Sequence, residues 1–122
     1  MLDGLLRFMR GFWFAFRGLA WLFFSERNAR IHLLAAAAVS GAGIWWRISA
    51  VEWCLVALAC GVVIAAEAMN TAIEKLADRV TVEDEERIRV VKDVAAAGVL
   101  AAAVAAAVVG ALVFGPRLLA LR

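Results

Sequence analysis

The sequence predicts an all-α integral membrane protein with an N-terminal amphipathic surface helix and three transmembrane helices. The 122 residues are 66% hydrophobic, and the mean hydropathy of +0.87 is too high for a soluble protein of this length. Charge-free runs occupy residues 31–46, 53–66 and 94–116. Arginines recur at helical spacing among aromatic residues before the first run. A chain of this length predicts one membrane domain, residues 1–122.

The N-terminal segment, residues 3–24, is expected to lie in the membrane interface as a helix. Arg7, Arg10 and Arg17 are spaced by three and then seven residues among Phe, Leu and Trp. This pattern turns a basic face toward lipid headgroups and aromatic side chains toward the acyl chains. A signal peptide is the alternative, but arginines within the apolar part and the lack of a small-residue cleavage site argue against it.

Three transmembrane segments are predicted, at residues 31–48, 53–74 and 93–116. The first ends in a Trp pair and has arginines at both ends that can reach the interface. The second has 14 charge-free residues, too few to cross a hydrocarbon core of about 30 Å. Its helix must therefore continue through Glu67 and Asn70 while still at membrane depth, and it is predicted to extend to about residue 79, with Glu74 and Asp78 near the interface. The third is rich in Ala, Val and Gly, whose small side chains allow close helix packing.

The distribution of Lys and Arg predicts the orientation of the chain. Five of these residues precede the first span, and five lie between the second and third spans. The turn between the first two spans contains Arg47 only. The positive-inside rule then places the N-terminus and the second loop in the cytoplasm, and the C-terminus outside.

The end of the second span carries a polar stripe, which we define as Glu67, Asn70, Glu74 and Asp78. At about 100° per residue these side chains project from one helical face. An ionisable residue at membrane depth costs about 2.5–3.5 kcal/mol and is therefore a candidate for function. Glu67, the deepest of them, is the candidate general base for a hydroxyl group.

Other polar residues are expected at the same depth. Glu26 precedes the first span, and Lys92 and Asp93 open the third. Carboxylates there could hold Mg²⁺ together with substrate phosphates, and Lys92 could contact phosphate oxygens. No glycine-rich P-loop or protein-kinase signature is present in the sequence. These residues predict an interfacial, metal-assisted site compatible with phosphoryl transfer.

Two functions of other classes are open at this point. A small transporter would use Glu67 as a proton or cation site, and predicts an isolated acid near mid-membrane. A purely structural oligomerising protein would explain the alanines of the third span but not the acids. Cys54 and Cys60 are interpreted as small buried apolar residues. The net charge of +2, with dispersed basic residues, does not indicate nucleic-acid binding.

Four motifs resemble the prokaryotic diacylglycerol kinase and undecaprenol kinase family of small integral-membrane lipid kinases. They are Glu26-Arg-Asn28-x-x-x-His32, Glu52-Trp53, Glu67-x-x-Asn70-Thr-Ala-Ile-Glu74-x-x-x-Asp78 and Lys92-Asp93-x-Ala-Ala. The resemblance covers residues 7–116 and is closer to the undecaprenol kinase branch. Ala29 departs from that branch, in which an aromatic residue is common.

The resemblance implies a homotrimer with sites between subunits, in the bacterial cytoplasmic (inner) membrane. It implies transfer of the γ-phosphate of ATP to a lipid hydroxyl, with Mg²⁺ as cofactor. Undecaprenol is the expected lipid, and diacylglycerol is the alternative. Glu67 would be the general base, Asn70 and Asp78 would support the site, and Glu26 and Glu74 would bind Mg²⁺.

The resemblance also implies two sets of binding residues. The nucleotide is expected to contact Arg7, Phe14, Glu26, Glu74, Glu83, Asp84, Glu85, Lys92 and Asp93. The lipid is expected to contact Gly11, Phe12, Trp13, Phe14, Ala15, Phe16, Ala20, Trp21, Leu22, Phe23, Asn28, Ala29, Arg30, Ile31, His32, Trp45, Trp53, Glu67 and Ala96. Most of the lipid contacts are therefore expected on the surface helix and at the start of the first span.

Overall fold

The computed structural model describes residues 1–81, 83 and 85–121. Within these residues the chain forms four α-helices and no β-strand, which confirms the predicted all-α class. The helices are α1 (Leu2–Ser25), α2 (Arg27–Trp45), α3 (Ala50–Val80) and α4 (Glu86–Leu119).

Helices α3 and α4 are both long and apolar enough to cross a membrane, and no other helix in the described residues meets that criterion. Their 31 and 34 residues extend about 46 and 51 Å, well beyond a hydrocarbon core of about 30 Å. Helix α2 has 19 residues and begins with a polar turn that contains Arg27 and Arg30. Its remaining apolar part is about 22 Å long, so the first of the three spans stays a prediction.

A single residue, Glu26, separates α1 from α2. Its backbone is extended, with φ −105° and ψ 123°, and its amide donates a hydrogen bond to the Leu22 carbonyl at 2.9 Å. The Arg30 guanidinium donates to the Phe24 carbonyl at 2.9 Å. These bonds satisfy carbonyls at the end of α1 that have no partner within the helix. Leu22 is the buried residue of α1, and most of the other side chains of this helix are exposed.

Helix α2 ends three residues before the predicted bound of 48. The chain turns at Arg47, which has a φ of 49°, and α3 then begins with a capping box. The Ser49 hydroxyl accepts a hydrogen bond from the Glu52 amide at 3.2 Å, and the Glu52 carboxylate accepts one from the Ser49 amide at 2.8 Å. The same carboxylate accepts two hydrogen bonds from Arg117, both at 2.9 Å. This pair ties the start of α3 to the end of α4.

A hydrophobic cluster lies at the same end of the bundle. We call it the Phe114 cluster, and its buried members are Ile48, Val56, Val113 and Phe114. Trp46 and Trp53 pack against it. Glu67 lies about 16 Å further along α3 from Val56. The Phe114 cluster and the polar stripe therefore lie toward opposite ends of α3.

Gly43 of α2 allows the close approach of Trp53, and this generates a prediction for stability. A Cβ at position 43 would lie 2.8 Å from the Trp53 ring and 3.0 Å from Ile48. We expect Gly43→Ala to lower the free energy of unfolding by about 1–3 kcal/mol because the packed ring cannot yield without strain. Thermal unfolding in detergent micelles measures this loss. Gly41→Ala is the matched control, since a Cβ there meets nothing within 4 Å. Equal melting temperatures for the two variants would contradict the prediction.

Candidate functional site

The polar stripe follows one face of α3 from the packed interior to the exposed end of the helix. Glu67 is 3% exposed and Asn70 is 8% exposed. Glu74 is half-buried and Asp78 is exposed. The protein therefore encloses Glu67, while water reaches Asp78.

His32 of α2 faces Glu67. Its Nε2 atom lies 3.9 Å from Oε2 of Glu67, and the two side chains are 23% and 4% exposed. This distance is too long for a direct hydrogen bond but short enough for an electrostatic interaction. Within the described part of the chain, His32 is the basic side chain that comes within 4.0 Å of this carboxylate.

The junction between α1 and α2 supplies a second carboxylate. Glu26 and Glu74 both lie near enough to Glu67 to interact with it electrostatically. The Nζ atom of Lys75 lies 3.3 Å from Oε1 of Glu26 and 5.7 Å from the centre of the Trp21 ring. Three carboxylates from two elements thus share one end of the bundle, with Lys75 as a counter-charge at the edge.

Asn70 presents an oxygen that has no partner. Its amide nitrogen donates to Oε1 of Glu74 at 3.4 Å, so the amide oxygen points away from that carboxylate. This oxygen is buried and accepts no hydrogen bond within the described residues. An unpaired buried acceptor costs about 1–3 kcal/mol. A buried acceptor without a partner beside a carboxylate is typical of a site that a ligand or an ion completes.

A polar pocket of about 410 Å³ lies between the end of α3 and the start of α4. The ammonium group of Lys92 donates to the Asp78 carboxylate at the wall of this pocket. The lining residues are Asp78, Thr81, Glu83, Glu85, Ile88, Arg89 and Lys92. The structure thus brings together three of the predicted nucleotide contacts, namely Glu83, Glu85 and Lys92.

The other predicted nucleotide contacts in the described residues lie outside this pocket, and Glu26 and Glu74 among them lie beside Glu67. Arg7 and Phe14 are exposed on α1 and do not line this pocket. The Arg7 side chain donates to the Asp3 carbonyl of its own helix at 3.3 Å. Asp93 is exposed on α4 next to Lys92, and Asp84 lies outside the described residues. The roles of all nine predicted nucleotide contacts stay predictions.

Some of the predicted lipid contacts are exposed at the surface of the structure, whereas others are buried or lie far from Glu67. Residues 11–16 of α1 are all exposed, whereas Leu22 is 3% exposed and Ala29 is 1% exposed. Trp53 packs against the Phe114 cluster, about 21 Å along α3 from Glu67. The remaining members are exposed or half-buried: Ala20, Trp21, Phe23, Asn28, Arg30, Ile31, His32, Trp45 and Ala96. One lipid headgroup at Glu67 would therefore be remote from both Trp45 and Trp53.

Sequence reasoning missed two charged contacts, Lys75 with Glu26 and Arg117 with Glu52. The partners lie on different elements, so their pairing depends on how the helices pack and not on spacing along one helix. Lys75 and Glu52 each adjoin an apolar segment, where a charge needs a partner. Their positions next to apolar segments predicted that both residues have partners of opposite charge, but did not identify those partners.

The chain was compared with known proteins. A family model described as prokaryotic diacylglycerol kinase matches residues 13–114. Undecaprenol kinase of Bacillus subtilis is 36% identical over 116 residues, which cover 95% of this chain and 94% of that protein. Diacylglycerol kinase of Synechocystis sp. is 35% identical over 111 residues, which cover 90% of this chain and 63% of that protein. This chain therefore spans less than two thirds of the Synechocystis protein.

These matches confirm the resemblance that the four motifs indicated. The segment matched by the family model contains the polar stripe, together with Glu26, His32 and Lys92. It also contains all of α2 and α3 and most of α4. The chain belongs to the prokaryotic diacylglycerol kinase family of lipid kinases.

Proposed function

We propose that this chain is an ATP-dependent kinase that phosphorylates the hydroxyl of undecaprenol, with diacylglycerol as the alternative substrate. Family membership supports the kinase chemistry. The Bacillus undecaprenol kinase supports the choice of lipid, because the match extends over 94% of its length. The observation that carries the proposal is the enclosed carboxylate of Glu67 at the apolar end of the polar stripe. A lipid hydroxyl can reach the depth of Glu67 in the membrane, whereas a water-soluble acceptor would have to lose its hydration to reach it.

Glu67 acts as the general base in this proposal. The lipid oxygen forms a bond to the γ-phosphorus of ATP, while the bond from that phosphorus to the bridging oxygen of ADP breaks. Glu67 takes the proton that the hydroxyl loses, which makes the lipid oxygen a better nucleophile. Because α3 holds the carboxylate rigidly, the hydroxyl and the base meet without a large loss of entropy at the moment of reaction.

The carboxylates beside Glu67 are suited to Mg²⁺. Within the described residues no three His, Cys, Asp or Glu side chains converge into a closed metal cluster. Mg²⁺ in phosphoryl-transfer sites commonly takes one or two carboxylates and completes its coordination with phosphates and water. Glu26 and Glu74 would hold the ion, and the unpaired oxygen of Asn70 adds a hard donor next to them. When bound, Mg²⁺ would neutralise charge on the phosphates.

Lys92 and the 410 Å³ pocket would contact the nucleotide. Lys92 and Arg89 are cations at the pocket wall, and the ammonium group of Lys92 suits phosphate oxygens. The distribution of Lys and Arg favours the cytoplasmic side of the inner membrane for this pocket. The family resemblance further favours three spans per subunit and a homotrimer with sites between subunits.

The substrate assignment is tested with labelled ATP and mixed micelles that contain either undecaprenol or diacylglycerol. We expect label in both the undecaprenol and the diacylglycerol assays, with the higher kcat/KM for undecaprenol. A higher kcat/KM for diacylglycerol would overturn the choice of lipid. Absence of labelled lipid in both assays would overturn the kinase assignment.

The role of Glu67 is tested with Glu67→Gln, which keeps the size of the side chain but cannot accept the proton. We expect kcat to fall by about 10²–10⁴-fold because general-base catalysis is lost, while the protein still inserts and assembles. Asp3→Asn is the control, since it removes an exposed acid at the far end of α1. Near-normal turnover by Glu67→Gln would remove Glu67 from the role of base.

The role of Glu74 is tested by titrating Mg²⁺ against turnover. We expect Glu74→Gln to raise the Mg²⁺ concentration for half-maximal activity by at least about tenfold, since even outer-sphere partners of a metal contribute that much. Direct Mn²⁺ binding, followed by electron paramagnetic resonance, should weaken in parallel. An unchanged metal requirement would exclude Glu74 as a ligand.

A further inference from the structure

His32 lies between the enclosed carboxylate of Glu67 and the surface of the subunit. Its Nε2 atom is 3.9 Å from Oε2 of Glu67, and its side chain is 23% exposed, against 4% for that of Glu67. Within the described part of the chain, neither ring nitrogen of His32 hydrogen-bonds to another residue. The imidazole is therefore free to exchange protons both with the carboxylate and with water.

The proposed reaction leaves a proton on Glu67 after every turnover. The lipid hydroxyl gives this proton to the carboxylate, and Glu67 must lose it before it can act as a base again. Water has little access to Glu67, because the residue is only 3% exposed. The site therefore needs a neighbouring group that takes the proton from Glu67 and releases it elsewhere.

The other polar neighbours of Glu67 are unsuited to this step. Glu26 and Glu74 interact with it electrostatically, but both would hold Mg²⁺ in the proposed function and would have to release the ion to accept a proton. The Asn70 side chain is an amide, which does not titrate. The ammonium group of Lys75 lies against Glu26 instead, at 3.3 Å. An imidazole suits the step, because one ring nitrogen accepts a proton and the other releases one near neutral pH.

The groups around His32 leave Glu67 as its charged neighbour. The α4 residues that line the same cavity as His32 are Ala, Val, Gly and Phe, and the α3 residues are Val, Ala and Cys60. Beyond Glu67 lie Glu74 on α3 and Glu26 at the junction of α1 and α2. A proton that leaves Glu67 toward α2 therefore meets the imidazole first.

We propose that His32 accepts the proton from Glu67 at Nε2 and releases a proton from Nδ1 to water, which restores the base for the next turnover. This inference rests on the proposed function and adds a step after phosphoryl transfer. The O–H bond on Glu67 breaks, an N–H bond forms at Nε2 and the proton on Nδ1 leaves, so one proton exits for each lipid phosphorylated. Proton exchange with water then restores the first tautomer. One water molecule or a side-chain rotation bridges the 3.9 Å gap, since such pairs are often long in unliganded enzymes.

The order of the two steps provides the test, since His32 acts after the bond to phosphorus has formed. We expect His32→Gln to phosphorylate about one lipid per site at the wild-type rate and then to turn over about 10²-fold more slowly, because the proton stays on Glu67. Rapid-quench kinetics with labelled ATP measures this burst, with whichever of the two lipids the wild type phosphorylates. Glu67→Gln should instead be slow from the first turnover. Ser40→Ala is the control on α2 and should turn over as the wild type, since the Ser40 hydroxyl donates to the Ala36 carbonyl of its own helix.

Rescue by imidazole tests whether the lost function is proton acceptance. His32→Ala leaves space for a small base, and we expect added imidazole to accelerate its slow phase without changing the burst. Among imidazoles of similar size the rescue should increase with basicity, as Brønsted behaviour requires. Sodium chloride at the same ionic strength should have no effect, and imidazole should not rescue Glu67→Gln.

Four results would overturn the inference. His32→Gln could keep the wild-type kcat, it could slow the first and later turnovers equally, or it could raise KM for the lipid alone, which would leave His32 as a lipid contact. Rescue of His32→Ala could also be independent of basicity. If the alanine variant does not assemble, the burst of His32→Gln decides. Failure of the proposed function is distinguishable, because the wild-type protein would then phosphorylate neither lipid.

Discussion

The burial of one carboxylate, that of Glu67, is the constraint on which the site depends. A buried charge is costly unless it has partners, and Glu67 is 3% exposed. Its basic neighbour within 4.0 Å in the described structure is His32, whose side chain is 23% exposed. A directly paired Lys or Arg would stabilise the charged carboxylate and make it a weaker base. Within the described residues no Lys or Arg lies within 4.0 Å of Glu67, an arrangement that suits the proposed role of Glu67 as general base.

The two ends of the helical bundle differ in the contacts that they contain. At one end, the Phe114 cluster and the Glu52–Arg117 pair fix α3 against α4. At the other end, side chains of opposite charge meet but leave an unpaired oxygen on Asn70. Helix α3 joins the two ends as one continuous segment of 31 residues. Glu67 thus lies on the same continuous helix as Val56 of the Phe114 cluster, about 16 Å further along its axis.

The extent of α3 and the polar stripe could be predicted from the sequence because both follow from properties of a single helix. A run of 14 charge-free residues is too short for a bilayer, which required the helix to continue through Glu67 and Asn70, and the helix of the structure ends at Val80. The contact of His32 with Glu67 and that of Lys75 with Glu26 could not be predicted. They depend on the rotation and approach of separate helices, which periodicity does not determine.

The position of the Glu67 carboxylate is the central claim, and Glu67→Asp tests it most directly. This change keeps the charge but withdraws the carboxylate by one methylene, and a displacement of about 1 Å can cost about 10²-fold in rate. We expect kcat for the lipid alcohol to fall by about that factor, with nucleotide binding and assembly unchanged. A Glu67→Asp enzyme that turns over at the wild-type rate would show that α3 does not hold this carboxylate at the reacting hydroxyl.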